Sequence, residues 1–320
     1  MKVFVTGAGG FIGRAVAKRF RAAGAEITGV DFPADAELGI VAGDIAAAGS
    51  WQEAAKGADV VVHTAAIVSN AYDVDESWRV NVLGTRNALD AAVAAGARRF
   101  VHLSSVRAFS DLGFPDGVDE THPVRPDGNP YVDTKIASEQ VVLQAHAAGE
   151  IECAVARPGD VYGPGSRPWT VLPLEIIKSN RFILPASGRG IFSAVYVDDL
   201  VTGLTLLAER PEAAGQVFTL GPARGVPAKE FFGHYYRMLG KRGPICLPTP
   251  IAVAAASAAG FAERLRGNRT ELNATSMLYL ARPGGYSIEK ARRLLGYDPR
   301  VDLDEGMRRT EAWLREQRLL

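Results

Sequence analysis

Thr6-Gly7-Ala8-Gly9-Gly10-Phe11-Ile12-Gly13 follows the apolar run Val3-Phe4-Val5 and opens an Ala-rich stretch with helical character. The glycines permit a tight strand-to-helix turn and let backbone N–H groups approach a pyrophosphate, while the helix N-terminus adds a partial positive charge. Taken alone the glycine pattern also fits an ordinary strand–helix turn. The second apolar run, residues 26–31, ends in Asp31, 18 residues past Gly13. A carboxylate there accepts hydrogen bonds from ribose hydroxyls and repels a 2′-phosphate. The two features together predict a dinucleotide site that takes NAD rather than NADP.

Outward from this turn the chain alternates. Residues 3–6, 26–31, 60–64, 100–104 and 152–156 read as buried strands, and residues 12–23, 51–57, 76–95 and 131–148 as helices. Such alternation predicts crossover units and a parallel sheet. Gly24, Gly96 and Gly149 stand where helices stop. Beyond Gly163-Pro164-Gly165 the alternation weakens. A helix is expected near 171–179, a strand running into a helix over 192–200, a strand at 217–220, and mainly helical chain after that, ending in an amphipathic helix at 305–319. The fold class expected is α/β, a Rossmann-type doubly wound parallel sheet with a smaller, mainly helical C-terminal substrate domain. The expected division is 1–163 plus about 191–221 for the NAD-binding domain, and about 164–190 plus 222–320 for the substrate-binding domain.

The chain has 320 residues, with 36 Lys plus Arg against 36 Asp plus Glu. Zero formal charge argues against a broad nucleic-acid footprint. With 47% apolar and 22% charged residues it has the composition of a folded soluble chain. Cys153 and Cys246 make neither a disulfide framework nor a zinc site and read as reduced thiols of a cytoplasmic protein. The N-terminus lacks the pattern of a signal peptide. The longest apolar run, near 251–262, is shorter than the roughly 20 residues a membrane span needs. The partner expected is a small-molecule substrate, with no nucleic acid, no membrane span and no metal.

Two further stretches carry chemistry. Tyr131-Val132-Asp133-Thr134-Lys135 puts a phenol and an amine on one helix face. A phenol is a poor base at neutral pH, and a neighbouring ammonium favours its phenolate. Elsewhere such a pair is ordinary surface decoration; downstream of a dinucleotide turn it becomes a catalytic pair. Val101-His102-Leu103-Ser104-Ser105-Val106-Arg107-Ala108-Phe109 is a strand that leaves hydroxyls at its C-terminal end, where open α/β sheets bind ligands. A serine there stabilises a developing oxyanion, or simply caps a helix. His63, His102 and His122 show no metal-ligand spacing. Asp198 and Asp199 read as helix N-caps, Trp51 and Trp78 as packing residues, and Arg98-Arg99 as solvated or capping charges.

The pattern resembles the extended short-chain dehydrogenase/reductase superfamily, which includes NAD-dependent epimerases and dehydratases. The resemblance covers most of the chain. It rests on TGxxGxxG at residues 6–13, Asp31, Gly43-Asp44-Ile45, His63-Thr64-Ala65-Ala66, Asn81-Val82-Leu83-Gly84-Thr85, Ser104-Ser105, the YxxxK of Tyr131 and Lys135, Arg157-Pro158-Gly159-Asp160-Val161-Tyr162-Gly163-Pro164-Gly165, and Val197-Asp198-Asp199-Leu200. It implies Tyr131 as general acid/base, Lys135 as its tuning partner and ribose ligand, and Ser105 as the catalytic hydroxyl, with Phe109 where the family more usually has tyrosine. It implies cofactor contacts from Gly7, Gly10, Phe11, Ile12, Gly13 and Asp31. Asp44 and Ile45 would flank the adenine, and Thr64, Ala65 and Ala66 would run along the cofactor. Pro158 and Gly159 would approach the nicotinamide, and Asn81 would hold the chain nearby. Val68, Asp160, Tyr162, Trp169 and Phe192 are expected at the substrate. A homodimer through residues 76–95 and 131–148 is also implied.

Two departures bear on substrate. The arginine that sugar-nucleotide enzymes of this kind carry before Val197-Asp198-Asp199 is replaced by Ile191, and their late Arg-Pro-Gly-Asp is Arg282-Pro283-Gly284-Gly285 here. The layout from Ile245-Cys246-Leu247-Pro248 through the apolar helix to Leu295-Gly296-Tyr297-Asp298-Pro299 is similar to the 3β-hydroxysteroid dehydrogenase-like branch. The implied activity is NAD-dependent interconversion of a secondary alcohol and a ketone. The alternatives are a sugar-nucleotide epimerase, dehydratase or reductase using the same triad, and a non-catalytic NAD sensor.

Overall fold

Alternate residues of the first strand face opposite sides: Val3 and Val5 enter one apolar cluster and Phe4 enters another. Burial on both faces is what a strand inside a covered parallel sheet requires. The computed structural model describes residues 1–110 and 115–320. Its main sheet comprises β1 (Lys2–Thr6), β2 (Glu26–Asp31), β3 (Ile40–Ala42), β4 (Val60–His63), β5 (Arg99–Leu103), β6 (Glu152–Pro158) and β7 (Gln216–Leu220). The spatial order is β7-β6-β5-β4-β1-β2-β3, and every pair is parallel. Strand order reverses beside β1, and in open α/β sheets the C-terminal ends of the strands at such a point are where ligands bind.

The expected strands are all present, and β3 is an addition. Only Ile40 of its three residues is buried, too short a signal to stand out in the sequence. Residues 76–95 become three consecutive pieces: α2 (Val74–Trp78), a π-type turn (Arg79–Leu83) and α3 (Gly84–Ala94). Residues 51–57 form only a 3₁₀ turn, Ser50–Ala55.

The helices cover the sheet in two layers. On one face lie α1 (Phe11–Ala22) and α6 (Val197–Glu209), through Val16, Phe20, Leu200, Leu204 and Leu207. On the other lie α3 and α4 (Pro130–Ala147), through Ala88, Leu89, Ala92, Val142 and Ala145. Asp198 and Asp199 sit in the first turn of α6 and do not cap it; its N-cap is Tyr196. Asp199 instead accepts hydrogen bonds from the backbone N–H groups of Arg300 and Val301, both at 3.0 Å, and so ties the C-terminal segment to the sheet layer. Arg99 is buried and does cap: its guanidinium donates to the carbonyls of Leu207 and Arg210 at the end of α6.

The rest of the chain is mainly helical: α5 (Leu172–Lys178), α7 (Ala228–Met238), α8 (Thr249–Leu265), α9 (Ala274–Leu280), α10 (Glu289–Leu295) and α11 (Leu303–Glu316). Phe182, Phe192, Phe231, Phe232 and Tyr235 form its aromatic centre. Among the described residues no helix is long and apolar enough to cross a membrane.

Leu204 is fully buried between α6 and the sheet. Leu204→Ala is expected to cost about 2–5 kcal/mol in urea denaturation, whereas Leu265→Ala, at a side chain 73% exposed, should change stability by no more than about 0.5 kcal/mol.

Candidate cofactor and active site

The glycine turn is built by close approach. Gly7 has φ +68° and donates to the Val30 carbonyl at 2.9 Å, and Gly10 donates to the Gly7 carbonyl at 3.0 Å. A Cβ on Gly13 would stand 2.0 Å from the Gly7 oxygen, so any side chain there displaces the turn. Gly10 caps α1 without a side-chain hydrogen bond, and Phe11 and Ile12 open its first turn, whose N–H groups point at whatever occupies the crevice. Asp31 closes the other side. Its Oδ2 accepts from Gly9 N at 2.8 Å and its Oδ1 from Phe32 N at 2.7 Å. An uncapped helix start, a glycine cradle and a carboxylate at the strand end fit an NAD pyrophosphate and adenosine ribose.

Further expected cofactor residues line the same sheet edge. Burial pushes the Asp44 carboxyl up, but the Ala46 N–H and Arg79, 2.9 Å away, outweigh it and hold it below the usual carboxylate value. Ile45 is buried, with its side chain facing Gly84 and its carbonyl accepting from Asn87. Thr64 donates through both N and Oγ1 to the Thr6 carbonyl, and Ala65 N donates to Thr6 Oγ1; Ala66 follows, half-buried. Asn81 lies in the π-type turn. It accepts from Ile67 N at 2.8 Å and donates to Ile67 O and Thr134 Oγ1, clamping the loop after β4 onto α4. Pro158 and Gly159 stand at the C-terminal end of β6, where a Cβ on Gly159 would lie 2.5 Å from Ser193 O.

The reactive groups gather at the C-terminal end of β5. Ser104 donates to Glu139 Oε1 at 2.5 Å, and Glu139 is fully buried and paired with Arg157 at 2.6 Å. The Ser104 hydroxyl is therefore occupied. Ser105 accepts from Arg107 N at 3.1 Å and starts a 3₁₀ turn, Val106–Phe109. Asn129 caps α4 by accepting from Tyr131 N at 2.9 Å. One turn on, Lys135 is buried and donates to the Leu103 carbonyl at 2.7 Å, two residues before Ser105. The Arg107 guanidinium lies 5.1 Å from the Tyr131 ring centre, so the 3₁₀ turn and the start of α4 are in contact. Burial lowers the Lys135 ammonium to about 8, opposed by the negative charge of Glu139.

His63 and His102 are held inside the fold by hydroxyl partners. His63 pairs with Thr6 Oγ1 at 2.6 Å and Thr85 Oγ1 at 3.0 Å, and burial with the nearby Lys135 charge lowers it to about 3. His102 pairs with Ser138 and is likewise held well below its usual value by burial. Among the described residues no cluster of three or more His, Cys, Asp or Glu could hold a metal.

A family model described as the NAD dependent epimerase/dehydratase family matches residues 3–221. The chain belongs to that family. It is an NAD-dependent enzyme of the extended short-chain dehydrogenase/reductase type. It is 30% identical over 319 residues to the 4-hydroxy-2-methyl-3-oxo-4-farnesyl-3,4-dihydroquinoline-1-oxide ketoreductase of Stigmatella aurantiaca, covering 96% of this chain and 95% of the relative. It is 31% identical to a 3β-hydroxysteroid dehydrogenase/Δ5→4-isomerase of Mycobacterium tuberculosis, over 93% and 86% of the two chains. MoeE5, solved with UDP-glucose and NAD, superposes with a TM-score of 0.77 at 26% identity and 99% coverage of both chains.

Three of the five expected substrate residues of this family member, Asp160, Tyr162 and Phe192, are buried against protein partners. Asp160 is 1% exposed and closed into a polar latch: it accepts from Ser193 N, Arg282 and the Tyr279 hydroxyl. The Tyr162 hydroxyl abuts Gly306 in α11, and its ring packs on Tyr196 and Phe231. Phe192 is 1% exposed inside the aromatic centre. Trp169 stacks on Tyr279 and remains half-buried, and Val68 is exposed on the loop after β4. Sequence reasoning assigned nothing to Arg107, Asn70 or Asn129, which cluster beside Tyr131. The one signal was Arg107's position two residues after Ser105.

Lys135 supplies a test of sign. Its folded value, about 8, lies below its ordinary 10.5. As pH falls from 10.5 to 8 the unfolded chain takes up the proton first, so stability drops, on the order of 3 kcal/mol in total, and the penalty is complete below 8. Lys135→Met should flatten the stability profile across that window in denaturation series at stepped pH. An unchanged slope would contradict the burial of a charged amine.

Proposed function

We propose that this enzyme interconverts a secondary alcohol and a ketone, with Ser105, Tyr131 and Lys135 as its catalytic groups. The observation that carries the assignment is the bond from buried Lys135 to Leu103 O. It ties the amine, and the phenol one helical turn before it, to the strand end that presents Ser105. NAD, when bound, supplies the hydride acceptor or donor. In oxidation Tyr131 takes the hydroxyl proton. Ser105 donates a hydrogen bond to the oxygen as it becomes a carbonyl. The Lys135 ammonium stabilises the phenolate form of Tyr131. Reduction runs the same steps in reverse.

A ketone or alcohol is favoured over a nucleotide sugar by the state of Arg282. It is 2% exposed, paired with Asp160 at 3.1 Å, and its guanidinium lies 3.6 Å from the Tyr279 ring centre. An arginine so enclosed is poorly placed to meet a diphosphate, and Ile191 replaces the other arginine. The apolar helix α8 and the likeness to a ketoreductase and a hydroxysteroid dehydrogenase support the same reading. The rival reading, a sugar-nucleotide enzyme, draws on the fold shared with MoeE5.

The same reading divides the chain into an NAD-binding unit, 1–163 plus about 191–221, and a substrate unit, about 164–190 plus 222–320. The same reading gives a homodimer through residues 76–95 and 131–148, where Trp78 and Leu83 are 45% and 50% exposed. It also places the protein in the cytoplasm, in keeping with its two free thiols, Cys153 and Cys246.

Tyr131→Phe should lower turnover by about 10²–10⁴-fold while NAD affinity, read by fluorescence titration, is retained; near-normal turnover would overturn the role of Tyr131. In thermal-shift measurements with NAD present, apolar ketones should raise Tm and UDP- or dTDP-sugars should not. The reverse pattern favours the sugar-nucleotide reading.

A further inference from the structure

Helix α8 is built inside out. Its buried residues are its smallest, Ala252, Ala256 and Gly260, spaced every fourth position on the side that packs toward α9. A Cβ on Gly260 would stand 1.8 Å from the Leu272 carbonyl oxygen, so that side is pressed against protein. The large apolar side chains lie outside. Ile251, Phe261 and Leu265 are 55%, 59% and 73% exposed, and Ala254, Ala255 and Ala258 between them are exposed as well. At about 100° per residue these six share one arc of roughly 120°, and at about 1.5 Å per residue the stripe runs roughly 21 Å. A helix that meets only water shows the reverse, with its large apolar residues turned inward. The charges follow the same face. From residue 249 to residue 269 the charged residues are Glu263, Arg264, Arg266 and Arg269. Arg264 and Arg266, both exposed, fall on opposite borders of the apolar arc. Glu263 projects between Ala252 and Ala256 on the inner side and accepts from Arg266 and Asn268.

We propose that the outward face of α8 docks on the surface of an anionic phospholipid membrane, with Ile251, Phe261 and Leu265 at the boundary of headgroups and acyl chains and Arg264 and Arg266 on headgroup phosphates. Charge decides the occupant. A second copy of this chain seated face to face would bring the same arginines and no acid to the borders of the stripe, whereas a lipid surface offers phosphate along both. Arginine meets phosphate through its planar fork while its stem lies along apolar surface. At 17 residues α8 is too short to cross a bilayer, and it lies in the membrane plane. The tail of the helix fixes where the bilayer sits. Arg269 pairs with Glu76 at 2.8 Å and lies 4.4 Å from the Tyr72 ring centre, and Glu271 accepts from Asn70 N at 3.1 Å. The membrane therefore lies beside the loop after β4. The proposal stands apart from the reaction assigned above, because it is read from binding and not from turnover.

The test is flotation of the full-length protein with vesicles of phosphatidylcholine, prepared with and without phosphatidylglycerol. The wild type should float with the phosphatidylglycerol vesicles, less so as salt is raised. Replacing the arginines, Arg264→Gln with Arg266→Gln, should lower the partition coefficient about fivefold for each charge removed. Phe261→Ser with Leu265→Ser should lower it by about tenfold or more. Both variants change exposed side chains, so their Tm should match that of the wild type. A wild type that stays unbound on phosphatidylglycerol vesicles, or variants that bind as it does, would overturn the proposal. Self-association seen by light scattering and abolished by Phe261→Ser with Leu265→Ser would give the face to a second copy, and would overturn it as well.

Discussion

The buried hydrogen bond from the Lys135 ammonium to the Leu103 carbonyl, beside those from Ser104 to Glu139 and between His102 and Ser138, joins the two halves of the candidate reaction centre. One partner is on α4 and the other on the strand end that leads into Ser105. Burying an ammonium costs several kcal/mol even after relaxation, and its depressed value of about 8 reflects that cost. The surroundings offset part of it: Leu103 offers an oxygen, and Glu139, one turn further along α4, brings a negative charge that is itself held by Arg157 and Ser104. A lysine kept in such a place at the expense of stability is more readily explained by chemistry than by folding.

The layers around this bond explain why it is rigid. Small residues on α3, such as Ala88, Ala91 and Ala92, bring the helix close to the sheet. Asn81 then holds the loop after β4 against Thr134 on α4. His63 and His102, kept neutral by burial, stack 5.5 Å apart beneath the site and fill it without adding charge. The glycine turn after β1 and the phenol at the start of α4 are thereby fixed at the same C-terminal end of the sheet.

Much of this was legible in the sequence, and for identifiable reasons. Gly7, Gly13 and Asp31 answer to backbone geometry that few other residues satisfy, and Tyr131 and Lys135 share a face because a helix turns every 3.6 residues. The substrate wall was less legible. An aromatic residue such as Tyr162 or Phe192 has the same appearance in sequence whether it lines a pocket or fills a core, and here both fill the core. Asp160 was expected at the substrate; the partners that enclose it, Tyr279 and Arg282, lie more than a hundred residues away. β3 and the role of Asp199 were missed because each depends on contacts that local pattern does not encode.

The most direct test of the account is a crystal structure of the NAD complex. The account predicts the adenosine ribose against Asp31, and the nicotinamide ribose within hydrogen-bond reach of Lys135 Nζ. It also predicts that the Tyr131 and Ser105 oxygens face the reactive carbon of the ring. A nicotinamide seated away from α4, or Tyr131 and Lys135 turned from the ring, would contradict it.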